Sequence, residues 1–239
     1  MSVIYINPYT FAAASGDPNF SSVSLLLHLD GTNGSTDFTN ADSSSSPKTI
    51  TAEGSAQIST AEAKFGQSLL LNDANTYANY LSTPDNAGFQ FGTGDFTVEA
   101  WIYLISKPRS TASILCSGSS DYGLNGGYFV VDSSNKIQFG IPGSVVSGGA
   151  ISTGQWYHVA GTRSGTTIRA FIDGAVVATG TGDSNTYNFS KDGLLVGRNG
   201  WDGLGSQGFY GYIDDVRITK GVARYTATFT APTAPFPDS

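Results

Sequence analysis

The 239 residues carry a formal net charge of -7, and only 13% of them are charged. No basic run is present to neutralise phosphates, which argues against a nucleic-acid partner; no stretch is long and apolar enough to cross a membrane as a helix. A single cysteine, Cys116, excludes an internal disulfide.

Glu occurs only at Glu53, Glu62 and Glu99, while Gly, Ser, Thr and Asn are abundant. That composition suits strands and tight turns rather than helices. Residues 1–23 form a head without a clear period. Its aromatics Tyr5, Tyr9, Phe11 and Phe20 read as anchors that dock on the domain itself or on a neighbour. The head lacks the basic and continuous apolar regions of a signal peptide, so we expect the chain to leave a cell, if it does, by another route such as lysis.

Strands are expected at 24–29, 65–71 and 77–81. The clearest alternation lies at 95–104. There Phe96, Val98, Ala100 and Ile102 share one face, and Thr97, Glu99, Trp101 and Tyr103 share the other. Large groups on both faces suggest a strand covered on both sides. Further strands are expected at 127–131 and 136–141, at 156–163 and 167–172, and at 176–179. The dipeptide Asp173-Gly174 is a strong two-residue hairpin signal, because such a turn needs positive φ. Strands at 194–196 and 208–219 close the series, and residues 231–239, with Pro232, Pro235 and Pro237, form an extended tail. Short strands separated by Gly-rich turns argue for an antiparallel sandwich or barrel.

Five segments occur in an order that resembles the LamG-like jelly-roll family of the concanavalin A-like lectin/glucanase superfamily. They are Lys64-Phe65-Gly66-Gln67-Ser68-Leu69, Gly94-Asp95-Phe96-Thr97-Val98-Glu99-Ala100-Trp101-Ile102, Trp156-Tyr157-His158-Val159-Ala160, Phe171-Ile172-Asp173-Gly174 and Gly211-Tyr212-Ile213-Asp214-Asp215-Val216-Arg217-Ile218. The likeness spans about residues 24–230. It implies an all-β fold, a two-sheet antiparallel jelly-roll sandwich, with residues 1–23 as a docking segment and 231–239 as a Pro-rich tail. Members of the superfamily include glycan binders, adhesion modules, glycosidases and parts of phage particles. The run from Tyr212 to Arg217 and on to Arg224-Tyr225 is similar to phage jelly-roll proteins in particular.

Retaining glycosidases need two carboxyl groups about 5–5.5 Å apart. The superfamily's glycosidases resemble a Glu-x-Asp-x-x-Glu strand, and this chain has no such run, so we expect no catalytic residues and no enzyme activity. Asp214 and Asp215 would point to opposite faces of a regular strand. His158 and His28 read as packed strand residues and Cys116 as a small buried hydrophobe. The resemblance aligns Asp214 with an aspartate that holds a structural ion in related glucanases. The first and last strands of the topology can lie together, so Asp30 and Asp214 are the expected ligands of a structural Ca2+. Glycan contacts are expected from loop aromatics with polar neighbours: Trp201, Asn199 and Asp202 on one loop, Tyr122 and Asn125 on another. Trp101 and Trp156 read as core.

The reading that follows is a non-enzymatic phage virion protein, a capsid decoration, fibre or tail-associated module. Its partners would be other virion proteins, host surface glycans or further copies of itself. A free carbohydrate-binding lectin is the alternative, and a glycoside hydrolase ranks behind both.

Overall fold

An apolar strand face needs cover, and two stacked antiparallel sheets bury one such face of each between them. The structure, a computed structural model, describes residues 16–72, 78–106, 110–117, 126–141, 144–189, 192–200 and 207–239. In chain order its strands are β1 (Val23–Leu27), β2 (Thr51–Glu53), β3 (Gln57–Ser59), β4 (Ser68–Leu71), β5 (Tyr80–Ser82), β6 (Gln90–Gly92), β7 (Phe96–Leu104), β8 (Thr111–Ser117), β9 (Tyr128–Asp132), β10 (Ile137–Ile141), β11 (Ser144–Gly148), β12 (Trp156–Ser164), β13 (Thr167–Ile172), β14 (Ala175–Gly180), β15 (Tyr187–Asn188), β16 (Leu194–Val196) and β17 (Gly211–Lys220). The first sheet runs β14-β13-β12-β7-β17-β4-β3, with β1 also paired to β17; the second runs β11-β10-β9-β8-β16-β5-β2. Strands β6 and β15 form a separate short pair. Among the described residues the helical elements are two single 3-10 turns, Phe20–Ser22 and Ala87–Phe89. The expected all-β, two-sheet sandwich is the fold observed.

The inner faces interlock in one core. Phe96, Val98, Ala100, Ile102 and Leu104 of β7 meet Phe129, Val131, Ile137 and Phe139 of the second sheet. At Gly161 of β12 a Cβ would come within 2.3 Å of the Phe139 ring, so the sheets close over that ring only because a side chain is absent. The hairpin between β13 and β14 is tight: Asp173 has φ +48° and Gly174 φ +79°, the two positive angles a type I′ turn requires. Cys116 of β8 is buried, and burial pushes its thiol up to about 11, which leaves it an unreactive core group.

Some expected strands shift and others go unread. The 24–29 strand ends at Leu27, and the 65–71 strand begins only at Ser68. β2, β3, β6, β8, β11 and β15 carry too little alternation to be read from sequence. β8, Thr111–Ser117, is buried from Ala112 to Ser117 and so has no polar face to mark a period of two.

Candidate functional site

The outer face of the first sheet carries the site, and the strand register lays that face out in rows. Across β12, β7 and β17 the rows are Trp156–Tyr103–Tyr212, His158–Trp101–Asp214, Ala160–Glu99–Arg217 and Thr162–Thr97–Thr219. This is the second face of the 95–104 alternation, now seen to be covered by the chain ends.

The lower rows are sealed by residues 222–239. Thr97 Oγ1 donates to Val222 O and accepts from Arg224 N; Thr162 Oγ1 donates to Tyr225 O. Tyr225 stacks on Phe229 at 3.5 Å between ring centres, and Phe229 meets the edge of His158. Beneath them Glu99 accepts from Arg217, from the Tyr225 hydroxyl at 2.8 Å and from His158 Nε2 at 3.1 Å. Burial alone would raise the Glu99 pKa; Arg217, His158 and Tyr225 outweigh it and hold the carboxyl at about 2. Asp17 completes the network with Arg217 and Arg224, and its backbone N–H donates to the Ser239 carbonyl. Glu99 and His158 are therefore structural groups: both are fully buried and joined through His158 Nε2, while His158 Nδ1 is buried without a partner.

The uppermost row is only partly covered, with Trp156 and Tyr103 half-buried, while His158, Trp101 and Asp214 of the next row are buried. Lys64, Phe65, Trp101, Trp156, Asp173, Ala231, Pro232 and Thr233 line a cavity of about 660 Å³. Phe65 stands edge-on to Trp101 at 5.8 Å, and the Lys64 ammonium lies 3.8 Å from the centre of the Trp101 ring. Trp156 is half-buried beside Tyr103, while Asp173 is exposed, with one carboxylate oxygen accepting from His158 N. Aromatic walls with an ammonium and a carboxylate at the rim match the general make-up of a small-molecule site. Trp101 is buried as expected, 4% exposed, but on this outer face; Trp156, expected as core, is only half-buried. Both belong to the outer face, and neither is part of the inter-sheet cluster. The signal was present in the sequence, since Trp101 shares its face with Glu99.

The Asp214–Asp215 strand is not regular. A bulge between Asp214 and Arg217, with Asp215 at φ +47°, interrupts the alternation. Asp214 Oδ2 accepts from Lys64 N and Phe65 N, both at 2.9 Å, and so fixes the loop that carries the cavity's rim. Asp215 bonds His28 and Phe236 N instead. β1 does pair with β17, and Asp30 lies near enough to raise the Asp214 pKa. Asp30 Oδ1 accepts from Gln67 N at 2.7 Å. The buried Asp214 Oδ1 has no partner, which is the one feature that fits a cation. The ligand count does not match, because no three acidic, His or Cys groups gather as a metal site among the described residues. Burial, opposed by the two backbone N–H groups, raises Asp214 to about 7, so a proton can serve that oxygen as well as an ion.

The other expected contacts divide. Trp201, Asp202, Tyr122 and Asn125 lie outside the described residues, as do Tyr5, Tyr9 and Phe11. Asn199 is 1% exposed, and its side-chain amide donates to Gln207 Oε1 at 2.6 Å. Phe20 is half-buried against Val23, Leu26 and Phe236 of its own domain.

A family model, Laminin_G_3 of the concanavalin A-like lectin/glucanases superfamily, matches residues 75–224. The chain belongs to this family. No curated protein matches it in sequence. Several solved structures share the Laminin_G_3 domain's fold. Domain 4 of AbnA, a GH43 extracellular arabinanase from Geobacillus stearothermophilus solved with arabinotriose, superposes with a TM-score of 0.59 at 21% identity, over 84% of this chain and 94% of that one. The binding domain of Paraclostridial Mosquitocidal Protein 1 gives 0.62 at 12% identity, over 85% of this chain and 50% of that one. The Botulinum neurotoxin serotype G binding domain gives 0.58 at 12%, over 77% and 45%. At such identities the likeness is one of fold.

Proposed function

We propose that the protein is a non-enzymatic carbohydrate-binding module whose site is the open aromatic end of the first sheet's outer face. The observation that carries this reading is the cavity of Phe65, Trp101 and Trp156 rimmed by Lys64 and Asp173. Indole and phenyl faces take the apolar faces of sugar rings, and the two charged rim groups take hydroxyls. Pro232 and Thr233 close one side, so the site suits a chain end or a short oligosaccharide better than the interior of a polymer. The solved arabinanase domain with arabinotriose supports a sugar ligand for this fold.

Binding is favoured over hydrolysis by the carboxylate count. Asp173 is the only acid among the described residues that line the cavity, and a retaining mechanism needs two. Incubation with glycan polymers should release no reducing ends.

The deciding experiment is a glycan array followed by calorimetry. Trp156→Ala should weaken the best hit by about 30-fold or more, in line with a buried aromatic anchor. Its melting temperature should stay near that of the parent, because Trp156 lies outside the inter-sheet core. An intact protein without hits, or full affinity in the variant, would reject this site.

The finer reading is attachment: the module serves on a phage particle and grips host surface glycans. It is supported by the run Tyr212 to Arg217 with Arg224-Tyr225, which here builds the sealed ion network. Mass spectrometry of purified particles checks whether the chain is present.

A further inference from the structure

A second cavity, of about 320 Å³, lies beside the β1–β17 pair and is lined by Ser21, Ser22, Ser24, Lys48, Gly88 and Lys220 among others. Its floor is made by a backbone irregularity. The β1–β17 register slips between Val23 and Leu25, so Ser24 is the extra residue of a bulge. Bulges re-aim side chains and recur next to functional sites. Ser24 is 7% exposed, and its hydroxyl is buried without any hydrogen-bond partner. Polar groups in that state call for an explanation, and an unrecorded ligand is one.

Two cations converge on the same short turn, Ala87–Phe89. Lys220, the last residue of β17, donates to Ala87 O at 2.7 Å; the Lys48 ammonium donates to Ser46 O and lies 5.7 Å from the Phe89 ring centre. Gly88 lies between them, and a Cβ there would sit 3.2 Å from Ser24 Cβ and 3.6 Å from Lys48 Cε. Among the described residues neither ammonium has a carboxylate within salt-bridge distance. The nearest acid acting on Lys48 is Asp42, whose oxygens accept from the backbone N–H groups of Leu26, Ser44 and Lys48 itself. Burial lowers the Lys48 pKa, with Asp42 opposing, which marks a cation short of counter-charge.

We propose that this cavity binds a tetrahedral oxyanion, sulfate or phosphate, held by Lys48 and Lys220 and accepting a hydrogen bond from Ser24. Two positive donors and a buried hydroxyl supply what a compact dianion lacks once it leaves water. The anion is either free or an ester group on a glycan. This site shares no lining residue with the aromatic cavity and does not depend on that cavity binding sugar.

The test is thermal unfolding and calorimetry of the full chain with sodium sulfate or phosphate, against sodium chloride at equal ionic strength. The expected result is a saturable rise in melting temperature with sulfate or phosphate and none with chloride. The double variant Lys48→Gln, Lys220→Gln should weaken binding at least about tenfold. Ser24→Ala should weaken it a few-fold and leave the anion-free protein at least as stable, since it removes an unpaired group. A sulfated disaccharide that binds tighter than inorganic sulfate, with its unsulfated counterpart silent, assigns the anion to a glycan; equal affinity assigns it to the free ion. No saturable signal beyond chloride, or undiminished binding in the double variant, overturns the proposal.

Discussion

Asp214 is the residue on which stability and ligation meet. Its carboxyl is 0% exposed, one oxygen takes two backbone N–H groups, and the other takes nothing. Burial lifts its pKa from 3.8 to about 7. A raised acid holds its proton more tightly folded than unfolded. Its contribution is therefore favourable below about pH 4, declines as pH rises from there to 7, and is a full cost above 7. The span sets a ceiling of about 4 kcal/mol on that cost. Asp214→Asn should gain stability relative to the parent at pH 8, on the order of 1–3 kcal/mol, and gain none at pH 4. Urea unfolding at the two pH values reads this directly. Calcium adds a contrast: an ion on Oδ1 would stabilise the parent at pH 8 and not the variant, whereas proton occupancy predicts no calcium effect in either. Residue-level reading from sequence succeeded for His158, where a strand period constrained the side chain, and for Cys116, where residue chemistry alone favoured a buried apolar position. It failed at Asp214–Asp215, where a bulge resets the faces, and at Trp156, where a place in a strand suggested core but the outer face leaves the ring half-buried.

The element that sequence reading described least is the stretch 222–239. Tyr225, Phe229 and Phe236 have no strand or helix period, because they follow the sheet surface rather than a regular backbone, so their burial leaves no pattern to detect. A Pro-rich tail was legible; its role as a cover over the Glu99 row was not. His28 holds its end, with Nδ1 at 2.8 Å from Asp215 and Nε2 at 2.6 Å from Asp238. The Asp215 bond, opposed by burial and joined by Asp238, raises His28 to about 9. A histidine raised above its ordinary 6.5 stabilises the folded form fully below that value and loses the contribution as pH climbs through 9. The shift corresponds to about 3 kcal/mol at most, and roughly 1–2 kcal/mol is a fairer expectation because exposed Asp238 is screened by solvent. His28→Gln should therefore be less stable than the parent at pH 6 and indistinguishable from it near pH 10. Denaturation curves that stay parallel across that range would show that the clip contributes nothing.

At the scale of the whole molecule the stretch 222–239 makes the sandwich asymmetric, sealing one end of a sheet face and leaving the Trp156 end partly uncovered. The two-sheet sandwich was legible because five motifs fix the central strands. The edge of the domain was harder, because residues 16–23 carry no period yet pack as part of it. Asp17 joins buried Arg217 and Arg224, and Phe20 rests on Phe236. The head proposed to dock on a particle is thus residues 1–15, and the cut that tests it belongs before Gly16. A chain beginning at Gly16 should unfold with the parent's midpoint and slope, since the described contacts all remain. A chain beginning at Val23 should lose about 3–5 kcal/mol, because two buried guanidinium groups are left without their shared carboxylate. If the aromatic head is the attachment, the Gly16 chain stays folded and binds glycan but no longer copurifies with particles. Equal recovery of the Gly16 chain and the full chain on particles would place attachment elsewhere on the domain. Loss of both folding and recovery would instead make the head part of the fold. The Val23 chain is the control that separates these outcomes, because its instability is fixed by Asp17 whatever the head does.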